Sequence, residues 1–568
     1  MSSMFQDYNP NTPIAAAWLN RVDDLLEGLP TGTGAAGIGW QSPLNGSVLR
    51  TLQAKAQDTV HVRDFGVVGD NITDDTVALQ LALTNLPNNT KLDFTGCLCR
   101  VTSPVTLLGK TQVMLMGAGG IRRDYGTANT RCMIVKSCTN VGFAGGLSFI
   151  GGNTASTASV GEDDLLVIGD PVTTNPDTFN HAIEIAGCFF SGGAHGGINV
   201  YGNFGSSAVV KNFDIHIHHN DFDSCTWGWW VYKNGRRVTA EFNNVTNAGN
   251  GGFVADTLAQ GDTSRSVTEP SYDLYFNNNI VDTVGLVAGA GARGGLIKGN
   301  VTGFSMSGNV FRRVGTVASA ADSFGWLVGT DFANGAPSQG EVNNNTVDTV
   351  ISAGSGFIGA VSRGASDVEI DNTIGSNSPS GILVEGANRC SLRNSLLSNI
   401  YSGFPIYVGS PGSNGLTTTF SGIVAGNQIT KSASNANAAI VVGAATTRCH
   451  IGVNEVETFS GVGRLFINAS ATGVSGERYV SAYVAVAYDP PSVPNNATDA
   501  AVVNTLVGAV MGDEISVAFS LDMAGCTYQG YMTGPGAAKI VLTNNTGAAV
   551  NLGAGTVYVT AQRNTLQP

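Results

Sequence analysis

Residues 60–83 read VHVRDFGVVGDNITDDTVALQLAL, and the rest of the chain is organised around them. A short strand at 60–62 leads into Asp64-Phe65-Gly66, then Gly69-Asp70 and Thr73-Asp74-Asp75-Thr76. Gly66 and Gly69 permit the positive φ that a tight strand–loop–helix turn needs. An amphipathic helix follows, with Val77, Leu79, Leu81 and Leu83 among its apolar residues, and Thr73 or Asp74 is placed to cap it. Beyond this point the chain reads as a stack of short strands. The first rung of such a stack would present a whole edge of unpaired N–H and C=O groups. A helix laid across that end covers them, so this element is expected to be the lid of a solenoid.

The stack is legible in two alternating landmarks from about residue 92 to 476. One is Asn-x-apolar, at Asn220, Asn243, Asn279, Asn309, Asn345, Asn372, Asn394, Asn427 and Asn454. These recur at about 29 residues per rung. The other is Gly before a short apolar strand, as at Gly228, Gly252, Gly295, Gly325, Gly356, Gly381, Gly403 and Gly463. One of each per rung is the pattern of a parallel β-helix, with rungs about 4.8 Å apart. The recurring Asn is expected to take the left-handed turn position and to form an amide ladder up the stack. Extra residues bulge at 256–271, with smaller excursions at 320–337 and 410–419. On a solenoid such insertions mark the face that carries function.

Composition narrows the class. Of 568 residues 75 are Gly and only 12 % are charged, which suits a turn-rich β protein. The net charge of −13 argues against a nucleic-acid partner, whose phosphates require Lys and Arg. No run of eighteen apolar residues exists to span a membrane as a helix, so no membrane insertion is expected. The opening MSSMFQDYNPNTP lacks the basic and apolar regions of a secretory signal. Nine cysteines without zinc spacing are expected to be reduced core residues. No metal and no cofactor are expected.

The motif D-F-G-V-V-G-D-N-I-T-D-D-T resembles the opening signature of pectate-lyase-superfamily right-handed β-helices, bacteriophage tailspikes above all. The usual pattern has Gly where this chain has Asn71, which also tolerates the left-handed region. The resemblance implies an all-β fold: a right-handed parallel β-helix with an N-terminal capping helix and a C-terminal antiparallel β-sandwich. It divides the chain into 1–58, 59–476 and 477–568. In the first, Ala15, Trp18, Val22, Leu25 and Leu29 recur at the spacing of a short heptad seam or of an ordinary amphipathic helix, before the linker TGTGAAGIG. It is similar to segments that dock tail proteins onto a phage tail or baseplate. The last reads as short antiparallel strands separated by turns such as Asn545-Thr-Gly547, a trimerisation or carbohydrate-binding domain by resemblance. The implied protein is a homotrimeric virion tail component, made in the host cytoplasm and acting at the bacterial surface. It binds and depolymerises capsule or lipopolysaccharide O-antigen by endo-glycoside hydrolysis. A lyase of the same fold and a non-enzymatic adhesin remain alternatives.

Phase along the repeat supplies candidate residues. Ile215 and Ile217 point inward, so Asp214, His216 and His218 point out. Asp214, Arg237 and Asp273 stand at one phase of successive rungs, and His218, Glu241 and Asn277 at another. Asp282, Arg312 and Asp348 form a similar ladder expected in a turn. If Trp229, Phe253 and Trp326 fill the core, then Trp230, Val254, Ile297 and Leu327 face out, with Tyr232 and Asp256 two residues on; Lys298 fits the inward phase badly. Sugars stack on exposed aromatic rings, and glycoside hydrolysis needs two carboxyl groups, roughly 5–5.5 Å apart for retention and 6.5–9.5 Å for inversion. The expected catalytic residues are therefore Glu241, Asp256 and Asp273, with Trp230, Tyr232, Asp214, Arg237 and His218 binding substrate. Asp262, Glu269, Asp322 and Asp331 are further loop carboxylates. Asp163-Asp164 and Gly193-Ala-His195-Gly196 loosely resemble polygalacturonase motifs. The inserted Ala, and the missing Asn-Thr-Asp and Arg-x-Lys motifs, leave that reading unassigned.

Overall fold

The computed structural model describes the chain from residue 39 to 563, apart from 42–47, 52–54, 56–57, 125–130, 153–163, 170–178, 202–211, 233–234, 257–270, 288–290, 317–321, 330–335, 353–354, 363, 410–419, 433–434, 436, 444–445, 458–464, 468–473, 477–478 and 507–508. The N-terminal seam, nearly all of the 256–271 insertion, and Asp163, Asp262, Glu269 and Asp331 lie outside the described residues.

Between Thr59 and Gly476 strands recur in threes, and each rung gives one strand to each of three parallel sheets. One rung shows the order: Trp227–Tyr232 in sheet A, Arg236–Glu241 in sheet B and Asn244–Ala248 in sheet C. Among the described residues the sheets hold 13, 15 and 14 strands. The fold is a right-handed parallel β-helix. Its core stacks like on like, since each residue sits over its counterpart one rung below. Trp229 lies on Phe253 with centroids 5.0 Å apart, and Phe190 lies between Phe149 and Phe222 at 5.1 and 4.9 Å. Burying each ring contributes about 2–3 kcal/mol. All nine cysteines are free and buried, as expected, eight in the solenoid core and Cys526 in the C-terminal domain.

The asparagine ladder is present one step away from where the landmark put it. Asn220, Asn243, Asn279, Asn309 and Asn345 are fully buried, and each of the first four donates from N and Nδ2 to Oδ1 of the next at 2.9–3.1 Å. The left-handed turn residue is the one before, as at His219, Phe242, Asn278 and Asn344, with φ from 55° to 57°. On two rungs the landmark Asn372 and Asn394 are themselves those turn residues. The buried ladder positions there are Thr373 and Ser395, and the amide chain resumes at Asn427 and Asn454.

The lid is a helix, Thr76–Asn85, burying Leu79, Ala82 and Leu83 against the first rungs while Val77 and Leu81 stay exposed. Gly66, Gly69 and Asn71 take the positive φ expected of them. Thr73 is not the cap: Asp74 Oδ1 accepts the Thr76 N–H at 3.0 Å. Asp75, at the N-cap, instead closes the preceding loop by accepting from Val68 and Gly69.

The sheet A register explains why Lys298 misfits. Phe253 pairs with Gly295, so Leu296 faces out with Val254 and Ile297 belongs to the core. The landmark glycine of that rung is Gly294. A Cβ there would meet the Gly325 carbonyl and the Phe311 ring of sheet C. Asp282, Arg312 and Asp348 are aligned as read but lie in sheet C strands, not in a turn. Six strands from Tyr479–Tyr488 to Gly555–Arg563 form the separate antiparallel C-terminal domain, packed on Val503, Leu506, Ile540, Val557 and Val559. Among the described residues no helix is long and apolar enough to cross a membrane.

Candidate functional site

Four consecutive sheet B strands carry the densest chemistry on an open face: His181–Ala186, Phe213–His218, Arg236–Glu241 and Ser271–Asn277. Register fixes who neighbours whom. Glu184, His216, Thr239 and Tyr275 form one outward column, and Ala186, His218, Glu241 and Asn277 the next. The contacts cross between columns. His216 Nε2 reaches up one rung to Glu241 Oε1 at 3.0 Å, and His218 Nε2 reaches down one rung to Glu184 Oε1 at 3.1 Å. The two imidazole rings lie 4.1 Å apart.

At the start of these strands the backbone is left-handed at Ala182, Asp214, Arg237 and Asp273, with φ between 47° and 57°. Asp214 and Arg237 are joined through two contacts of 2.5 and 2.9 Å. The Arg237 guanidinium holds the Asp214 carboxyl below its usual range, against the opposing effect of partial burial. Arg237 also lies over Phe213 at 5.7 Å, His181 stacks on the same ring at 4.2 Å, and Arg236 covers Tyr272 at 5.2 Å. Tyr275 and Asp273 are exposed. A groove of about 610 Å³, lined by Lys55, Lys91, Met114 and Gly142 among others, ends at Glu184.

Sheet A presents a closed face instead. Tyr201, Tyr232, Asp256 and Lys298 are in register, and Asp256, 1 % exposed, pairs with Lys298 Nζ at 2.8 Å. Asp256 is therefore a buried ion-pair partner rather than an open carboxylate, and Tyr232 is buried against Tyr201. Trp230 is half-buried, stacked on His195 at 4.6 Å. Asp164, fully buried, holds His195 Nδ1 at 2.8 Å and accepts from Asn199 Nδ2 at 3.0 Å.

The expected site residues thus divide between two faces. Glu241, Asp273, Asp214, Arg237 and His218 share the outer face of sheet B, with Glu241 and Asp273 near opposite ends of their strands. Trp230, Tyr232 and Asp256 belong to sheet A. Sequence reading missed Glu184 and His181, whose rung lacks the Asn landmark, and Tyr275, whose rung has one at Asn279, and gave His216 no partner. It noted Asp164 and His195 without joining them.

No protein-family model matches the sequence, and no curated protein matches it. Among solved structures the chain is similar to the tailspike protein of E. coli bacteriophage HK620. A variant of that protein in complex with a hexasaccharide has a TM-score of 0.52 at 12 % identity, covering 95 % of this chain and 100 % of that one. The same tailspike in complex with a pentasaccharide gives 0.50 at 12 %, with the same coverage. The A-module of an Azotobacter vinelandii mannuronan C-5 epimerase gives 0.47 at 17 %, covering 74 % of this chain and 100 % of that one. At such identities the likeness is one of fold.

Proposed function

We propose that the chain is a bacteriophage tailspike that binds a bacterial surface polysaccharide, capsule or lipopolysaccharide O-antigen, on the outer face of sheet B and hydrolyses it internally. The observation that carries this reading is the grouping, on four adjacent rungs, of Phe213, Tyr272 and Tyr275 with Glu184, His216, His218 and Glu241. Aromatic faces stack on pyranose C–H groups, and a flat solenoid face at the end of a groove accommodates an extended chain. The fold shared with a tailspike whose structures hold oligosaccharides supports the same reading.

Glu184 and Glu241 stand two rungs apart and in neighbouring columns, two residues apart along the strand direction, about 12 Å at Cα level. Their side chains lean together through the two histidines, toward the roughly 6.5–9.5 Å that an inverting pair spans. One acts as acid and the other as base, and an imidazole at hydrogen-bond distance stores the proton between turnovers. Asp273 is the further carboxylate of this face. Asp214, kept ionised by Arg237, is a ligand for substrate hydroxyls rather than an acid. Asp256 takes no catalytic role.

A second reading is favoured by the paired histidines. Neutral His216 or His218 can abstract the proton beside a uronate carboxylate and cleave by elimination. Incubating the protein with a panel of host polysaccharides separates these: new reducing ends without ultraviolet absorbance mean hydrolysis, and absorbing unsaturated uronates mean elimination. Binding without either product makes the protein an adhesin.

The working assembly is a homotrimer docked to the phage tail or baseplate through residues 1–58. Ile280, Val310, Ile374 and Leu396 support it, standing in one outer column of sheet C that only Thr346 interrupts, with Ile280, Ile374 and Leu396 more than 40 % exposed. Symmetric closure would hide such a column. Light scattering should return three times the chain mass of 58.4 kDa, and a monomer mass overturns the assembly.

A further inference from the structure

We infer that Glu184, His216 and His218 form a binding site for a borderline divalent transition cation of the Zn²⁺ class. One ligand atom from each lies within 4.8 Å of the others. A tetrahedral ion takes His nitrogen at about 2.0–2.1 Å and carboxylate oxygen at 2.0–2.2 Å, so small side-chain rotations close the set. The backbone does most of the positioning. His216 and His218 alternate with buried Ile215 and Ile217 on one strand, which puts both imidazoles on the same face. Glu184 is the direct register partner of His216 on the rung below.

Three further observations favour a cation. His218 Nδ1 lies at hydrogen-bond distance, 2.9 Å, from His219 Nδ1, and its ring is 4.1 Å from that of His216, so three imidazoles gather at this point of the face. Glu241, on His216, supplies a second carboxylate at the rim that either ligates or orients. The nearest guanidinium on this face, Arg237, is committed to Asp214, so it does not neutralise the cluster. Two imidazoles in a set of three select Zn²⁺, Co²⁺, Ni²⁺ or Cu²⁺ over Ca²⁺ and Mg²⁺, which prefer oxygen alone.

This site draws on Glu184, His216 and His218, which also lie on the face proposed to act on polysaccharide, but ion binding is read without any polysaccharide present. It is tested on the full-length chain at neutral pH by calorimetric titration with ZnCl₂, and by the visible absorption of bound Co²⁺. The expected result is one ion per chain and a tetrahedral cobalt spectrum. His216→Ala and His218→Ala should each weaken Zn²⁺ at least about tenfold, while His450→Gln, far up the solenoid, binds like the parent. Circular dichroism of each variant establishes that it is folded. Absence of saturable Zn²⁺ binding by the folded parent, or equal binding by the His216→Ala/His218→Ala double variant, overturns the inference. A protein that binds Zn²⁺ yet cleaves no polysaccharide refutes the enzymatic reading and leaves this one standing.

Discussion

His216 reaches across a rung boundary to Glu241, its Nε2 3.0 Å from the carboxylate, while its neighbour two residues on turns the opposite way to Glu184. This crossing ties three rungs of one sheet together through their side chains.

If Glu241 is a catalytic carboxyl, Glu241→Gln lowers turnover by roughly 10²–10⁴ and leaves the melting temperature nearly unchanged, since its side chain is partly open to water. Product assays beside thermal unfolding test both halves. Full activity in this variant and in Glu184→Gln moves the site elsewhere.

Asp256→Asn acts through the fold instead. It strips the buried carboxylate from Lys298, a loss on the order of 3 kcal/mol. Denaturant unfolding should show that deficit, and any refolded fraction should keep normal turnover.

The amide ladder can be both broken and completed. Asn279→Ala removes the acceptor for two donors of Asn243 and the donor to the Ala240 carbonyl, costing about 2–3 kcal/mol. Thr373→Asn combined with Ser395→Asn extends the ladder through its gap and should raise stability by about 1 kcal/mol. Asn372→Gly, at an exposed left-handed position, should be close to neutral.

Stability falls on the acid side partly through Asp214. Its carboxyl titrates below the ordinary value because Arg237 bonds the ionised form. That contribution is present above the unfolded carboxyl value, about 3.9, and is lost as pH drops through the lower folded one. Arg237→Ala should flatten this limb below about pH 4, modestly because the pair is partly solvated. Unfolding curves at stepped pH would expose the difference.

Thiol reagents should find the native protein inert. Burial pushes Cys132, Cys188, Cys225 and Cys449 up to about 12, and Cys390 to about 11. All nine thiols should react only after unfolding, which a colorimetric titration with and without denaturant reads directly.

The solenoid and its lid were legible because the repeat writes itself twice per rung, in glycine and in asparagine. Register slipped where the landmark was doubled. Gly294-Gly295 offers two phases, and only the packing of Phe311 and Phe253 around them chooses. Asn372 and Asn394 misled for a related reason, because asparagine suits both the turn and the ladder one residue later. The site was half legible. Alternation turned His216 and His218 outward, but their partners depend on which strand lies above and below. The order of residues along the chain does not supply that. Asp256 looked available because no pattern announces that Lys298 comes to rest on it.

The gap in the asparagine ladder at Thr373 and Ser395 also divides the side-chain splint of the molecule. Below it every rung from Asn220 to Asn345 is tied to the next by two bonds to a side-chain amide oxygen, and His216, His218 and Glu241 sit within that splinted length. At the gap a single serine hydroxyl, 3.3 Å from the Thr373 N–H, makes the link, and Thr373 Oγ1 has no partner among the described residues. The backbone ladders of the sheets run on across the gap, so it is the side-chain splint alone that is interrupted above the working face.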